Sequence, residues 1–337
     1  MTAKAQPRHY SAIDIAKFIL AIFIVAAHAD PMKYCTNQVV LSVYRCLSQS
    51  AVPFFFLASG FLLVKKAEDK SIDLRAAIHQ QLVKTVKLYC IWHIIYLPLA
   101  IYHFYTNDYS VLRAVLVTIR AVLLVGKNFY SDILWYLLST IYAFAFISLL
   151  LKRRLSIPCI TACCVPVYLF GTFYNYIIRY GKRLSSLSYV IFKGIDFAFT
   201  SGRIFTGFLF IALGMLIARK KPPLILSLTL FIGSFIANYH LEGISRNLLV
   251  AIQAIGAFMI VSTIPLPPSP IYPFLRRTST NIYFLHQWVM FVFCFVAGDI
   301  YWRGPDIFFG TLAVTLVLSC IWIFFQNRSR NRIKRSS

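Results

Sequence analysis

The chain has 337 residues, of which 59% are hydrophobic and only 13% charged, and its mean hydropathy is +0.71. Soluble globular domains carry about 25% charged residues, so that class is excluded. The net charge of +23, from 34 Lys and Arg against 11 acidic residues, is read as loop charge that sets membrane topology, and no nucleic-acid partner is expected.

Apolar runs recur from end to end and are continuous, whereas a membrane barrel needs alternating apolar and polar positions. Helices are then the spanning solution, so the expected fold is an all-α polytopic membrane protein with the lipid bilayer as its partner. Eleven stretches qualify, at about residues 13–31, 41–64, 81–105, 111–126, 132–151, 157–174, 203–219, 223–238, 247–264, 280–298 and 306–326. Lys4 and Arg8 at one end, and Arg328, Arg330, Arg332, Lys334 and Arg335 at the other, place both termini in the cytoplasm and require an even number of spans. The stretch 111–126 is short and carries Arg113 and Arg120 on one helical face, the pattern of an interfacial amphipathic helix. About ten transmembrane helices remain. Most basic clusters then face the cytoplasm, including Lys65-Lys66, Lys152-Arg153-Arg154, Arg219-Lys220-Lys221 and Arg276-Arg277. The exception is the loop with Arg179, Lys182, Arg183 and Lys193, and long loops follow the charge rule poorly. The expected organisation is a cytoplasmic segment 1–12, one transmembrane domain 13–326 and a basic cytoplasmic tail 327–337. The first run reads as a retained span, not a cleaved signal, in a multi-pass protein of a bacterial plasma membrane.

Ionisable residues inside spans are costly and mark function. The first span holds Asp14, Lys17 and His28. Asp14 and Lys17, three apart, can pair at the cytoplasmic boundary, the alternative being a simple snorkelling anchor. His28 lies eleven positions beyond Lys17, roughly 16 Å of helical rise, toward the outer leaflet. Histidine titrates near neutral pH and serves as a general base. In the second span, downstream of Arg45, Pro53 frees a backbone carbonyl and Ser59-Gly60 permits close helix approach. Trp135 follows Asp132 at an outer boundary, where aromatic belts form. Arg203 sits at another outer edge, either to clamp an anion or to snorkel, and Gly207 and Gly214 make a smooth packing face. The ninth span opens at Ser279 and places Tyr283, His286 and Gln287 within one turn near the cytoplasmic side, more polarity than packing needs. Glu242 and Arg246 read as a surface pair. Among the eight cysteines no CxxC or Cys/His ligand spacing occurs, so no metal is expected; Cys35 and Cys46 are placed where a disulfide between them is an option.

Five pieces occur in a characteristic order. They are Ile13-Asp14…Lys17-x10-His28, Val52-Pro53-Phe54-Phe55-Phe56…Ser59-Gly60-Phe61, Leu134-Trp135-Tyr136-Leu137, Arg203…Gly207-Phe208…Gly214 and Ser279…Ile282-Tyr283-Phe284-Leu285-His286. Together they cover nearly the whole chain, which resembles the membrane acyltransferase 3 family. Where that family usually has an arginine before the histidine, this chain has Lys17, which keeps the cation without the planar fork. Lysine there is similar to a Gram-positive branch that includes the membrane part of vancomycin-resistance serine racemases.

The resemblance implies an enzyme with about ten spans that moves an acyl group, most simply acetyl, from cytoplasmic acyl-CoA to a hydroxyl of a cell-envelope glycan or related small acceptor. His28 would be the base, with Lys17 and Asp14 beside it in the machinery. Lys17, Lys65, Lys66, Ser59, Tyr283 and His286 would meet acyl-CoA, and Arg45, Trp135 and Arg203 the acceptor. The competing reading is a transporter or uptake protein for a small solute such as an amino acid. A third is a non-catalytic assembly or sensor subunit.

Overall fold

A computed structural model describes residues 10–181, 185–200, 202–241 and 244–336. In chain order the helices are α1 (Ser11–Ala29), α2 (Gln38–Asp69), α3 (Leu74–Thr106), α4 (Val111–Arg120), α5 (Trp135–Lys152), α6 (Ile157–Gly181), α7 (Ser186–Phe199), α8 (Thr206–Arg219), α9 (Leu224–His240), α10 (Ile244–Thr263), α11 (Ile271–Val296) and α12 (Pro305–Ser336). There is no strand among the described residues. The protein is an all-α polytopic membrane protein. Among the described residues, eight helices are long and apolar enough to cross a bilayer: α1, α2, α3, α5 with its preceding 3-10 turn, α6, α10, α11 and α12. The stretches 203–219 and 223–238 are helical but take shorter forms. The first is joined to α7 in a pair bent by 62°, and the second is a short apolar helix, Leu224–Asn238. Glu242, Lys182 and Arg183 lie outside the described residues.

The amphipathic stretch forms α4, capped by the Ser110 hydroxyl, which accepts from the Arg113 amide at 3.4 Å. It buries no residue. Val111, Leu112, Val115, Leu116 and Ile119 are exposed, as a helix lying in a membrane interface requires. Arg113 stacks 4.2 Å above Tyr109 and Arg120 4.5 Å above Phe197, so both cations rest on aromatic faces.

The chain forms two compact units, 1–52 with 259–337, and 53–258. In the second unit α2 crosses α8 in close contact. A Cβ on Gly60 would collide with the Ile211 carbonyl, and one on Gly214 with the Leu57 carbonyl. Lipid tails are as apolar as side chains, so such small-residue contacts supply the packing energy between membrane helices. The obstacle at each glycine is backbone and does not move aside as a flexible side chain would. Gly214→Leu is expected to cost about 3 kcal/mol, the upper end of overpacking penalties. It should appear as a lowered melting temperature in detergent. Gly233→Leu is the control, because a Cβ there meets nothing within 4 Å; equal melting temperatures for the two variants would refute the argument.

Within the first unit, α1 and α11 run in parallel. α11 turns back into α12, and the hairpin is held by Arg277, which donates to Asn327 Oδ1 at 2.9 Å. α1 ends at Asp30, whose backbone has φ +52° and whose N–H reaches the Ala26 carbonyl at 2.8 Å. The next free carbonyl, Ala29, accepts from Gly304 N–H at 2.8 Å. Gly304 has φ +153°, a conformation open to glycine and strained for other residues. Ala29, Met290, Cys294 and Ile307, packed by Phe293, Trp302 and Phe308, close that end with an apolar plug. No disulfide joins Cys35 to Cys46.

Candidate active site

The first unit gathers the ionisable residues of α1 against α11. At the beginning of both helices, Asp14 Oδ2 lies 3.6 Å from an Arg276 nitrogen. The Asp14 side chain is 7% exposed and Arg276 46%. Lys17 lies in the fields of both. Two cations around one carboxylate leave one positive charge in excess at this end. Besides Lys17 on its own helix, Asp14 therefore has an ion-pair partner on α11. A cleft of about 240 Å³ adjoins, lined by Ser11, Ser269, Tyr272 and the prolines 268, 270 and 273. The Ser11 hydroxyl is buried without a hydrogen-bond partner among the described residues.

At the other end of α1, His28 meets α11. Its Nδ1 is 3.4 Å from Gln287 Nε2, and its ring centroid is 5.3 Å from that of His286. His286 is fully buried and Gln287 is 4% exposed. His286 Nδ1 lies 3.0 Å from the Ile282 carbonyl. A carbonyl only accepts, so Nδ1 carries the proton and Nε2 holds the lone pair. That Nε2 and Gln287 Oε1 are buried with no hydrogen-bond partner among the described residues. Tyr283, one turn earlier, has its ring 6.4 Å from His286. Unsatisfied buried polar atoms are costly; here two of them adjoin an imidazole that is itself only half-buried.

Tyr283, His286 and Gln287 therefore lie at the His28 end of α1 and not at the Asp14 end. The reason is local. The ninth span was expected to open at Ser279, but α11 begins at Ile271, directly after the Pro-rich loop. Pro270, with φ −65°, suits a helix start. Arg276 and Arg277 fall inside the helix, and every later residue moves further along it. This signal was present in the sequence: with the helix starting after Pro270, Arg276, Tyr283 and Gln287 share one stripe at helical spacing.

The remaining candidates distribute as follows. Arg45 is exposed on the part of α2 within the first unit. In the second unit, Lys65 is bound to Glu68 at 3.0 Å, and Glu68 also meets Arg219 at 3.6 Å. Lys66 is half-buried. The Ser59 hydroxyl donates to the Phe55 carbonyl at 2.9 Å and contacts the Tyr136 hydroxyl at 3.0 Å, which ties α2 to α5. Trp135 and Arg203 do come together, with the guanidinium 5.9 Å above the indole, and Phe56 lies 6.1 Å from Trp135 on the same ring system. Behind them Ser139 donates to the Ile204 carbonyl at 2.7 Å and accepts from Gly207 N–H at 2.9 Å, which anchors the start of α8.

A family model described as "Acyltransferase domain" matches residues 10–324. An "Amino-acid racemase" of Enterococcus faecalis is 29% identical over 207 residues, which is 61% of this chain and 27% of that protein. A "Serine/alanine racemase" of Enterococcus gallinarum is 28% identical over 244 residues, 69% of this chain and 33% of that protein. The chain thus spans about a quarter to a third of the length of these curated relatives. No solved structure matches it.

Proposed function

This chain belongs to the membrane acyltransferase 3 family, and from that membership we propose that it transfers an acyl group, acetyl in the simplest case, from acyl-CoA to a hydroxyl of a cell-envelope glycan or related small acceptor. The observation that carries the reading is the juxtaposition of His28 with Gln287 and His286, at the end of α1 away from a cation cluster. His28 takes the proton of the acceptor hydroxyl. The oxygen attacks the thioester carbonyl, the carbon–sulfur bond breaks, and the CoA thiolate leaves and takes up the proton. Lys17 and Arg276 supply the excess positive charge that meets the phosphates of the donor, with Lys65 and Lys66 as further cations. The roughly 16 Å of helical rise between Lys17 and His28 is bridged by the extended pantetheine arm. The apolar plug beyond His28 keeps water from the thioester, so hydrolysis does not compete. Trp135 and Arg203 are assigned to the acceptor, as is Arg45. The enzyme acts in the plasma membrane of a bacterium.

Purified protein in proteoliposomes, given labelled acetyl-CoA and an envelope extract, should release free CoA thiol and label a hydroxylic acceptor with base-labile acetyl. Absence of CoA release with any short acyl-CoA would refute the reading. A second reading is amino-acid uptake, amino acids being the substrates in the names of the two racemase relatives. It predicts serine accumulation in the same vesicles with no acyl donor present.

A further inference from the structure

One neighbour of His28 is the carboxamide of Gln287. Gln287 is 4% exposed, its Nε2 lies 3.4 Å from His28 Nδ1, and its Oε1 has no hydrogen-bond partner among the described residues. Which imidazole nitrogen carries the proton is set by the hydrogen bond made by the other. A base acting through Nε2 needs its proton on Nδ1, and therefore an acceptor facing Nδ1. The two ends of a carboxamide are nearly the same size, and a half-turn exchanges them. With nitrogen toward Nδ1, His28 is held with its proton on Nε2 and cannot act as a base there. With oxygen toward Nδ1, the orphaned acceptor is satisfied and the lone pair falls on Nε2, the nitrogen a base would use. His286 cannot supply that acceptor through Nδ1, because that nitrogen already donates to the Ile282 carbonyl.

We propose that Gln287 is a positioning residue that accepts the Nδ1 proton of His28 through its amide oxygen and so holds His28 in the tautomer that acts as base. The inference rests on reading His28 as the base. A neutral amide does this without placing another charge in a low-dielectric site, where unpaired charge is expensive.

The test uses the full-length protein with two substitutions. Gln287→Met keeps the length and removes both hydrogen-bonding ends; Gln287→Glu keeps only acceptors. The methionine variant should lose on the order of 100-fold in kcat, less than the loss known for a triad left in the wrong tautomer, with the KM for acyl-CoA unchanged. The glutamate variant should recover most of that loss. ¹⁵N spectra of histidine-labelled protein should show the His28 proton shifting from Nδ1 toward Nε2 in the methionine variant. Parental kcat and an unchanged His28 spectrum in that variant would overturn the proposal. So would a glutamate variant as impaired as the methionine one, since a donor would then be what His28 needs. If Gln287→Met fails to insert, Gln287→Asn, which withdraws the amide by one methylene, should show the same tautomer shift. A tautomer shift on Gln287 substitution in a protein that moves no acyl group would overturn the role of His28 as base and leave its coupling to Gln287 standing.

Discussion

Replacing His28 by alanine should abolish acyl transfer while leaving the protein folded and inserted. A positioned general base contributes about 10²–10⁴-fold to a rate, so kcat should fall by at least about 100-fold. The KM for acyl-CoA should stay near that of the parent, because Lys17 and Arg276, assigned to the donor phosphates, lie at the other end of α1. Stability should change by under about 1 kcal/mol: His28 sits in the last turn of α1 and is half-buried. The measurement is CoA-thiol release by purified variants matched for monodispersity. A His28→Ala protein retaining a tenth of parental kcat would remove His28 from the role of base.

The second large effect is expected at the opposite end. Asp14 is the carboxylate between Lys17 and Arg276, and its side chain is 7% exposed. Asp14→Ala leaves two cations facing each other. Breaking a buried pair costs about 3–5 kcal/mol, but Arg276 is 46% exposed and solvent screens part of that cost. A loss of about 2 kcal/mol is expected, seen as a lower melting temperature in detergent. Arg276→Met should be milder, since Asp14 keeps Lys17 nearby. The double variant should be more stable than Asp14→Ala alone, because the repulsion is gone. A cycle in which the two changes simply add would show that Asp14 and Arg276 are uncoupled. Donor binding gives a separate readout: Arg276→Met should raise the KM for acyl-CoA, whereas Gly214→Leu should act on stability alone.

Much of this was legible before any coordinates. Continuous apolar runs identify the helices, since period and length survive any tertiary arrangement. The surface helix was readable because Arg113 and Arg120 cannot face lipid tails at its centre. Gly60 and Gly214 pointed to a tight crossing, and the structure supplies the partner of each. What sequence reading missed was pairing between helices far apart in the chain. Asp14 and Lys17 are three apart and within reach of one another, so a local pair seemed sufficient. The competing partner, Arg276, stood beside Arg277 and read as loop charge. One misplaced helix start, at Ser279 instead of Ile271, then carried Tyr283, His286 and Gln287 to the wrong depth. The Ser59–Tyr136 contact was likewise not legible, because a sequence does not show that Tyr136 lies across from Ser59.

The parallel seating of α1 against α11 has a consequence for how the protein is made. His28 and Gln287 are 259 positions apart. A ribosome adding about 5–20 residues per second delivers the second of them on the order of tens of seconds after the first. Through that interval α1 holds an acid, a base and a histidine in the bilayer with their eventual neighbours not yet synthesised. If His28 works with Gln287 as proposed, chains halted before the eleventh helix would be inserted but inert, and the site would be completed only when nearly all of the protein is in the membrane.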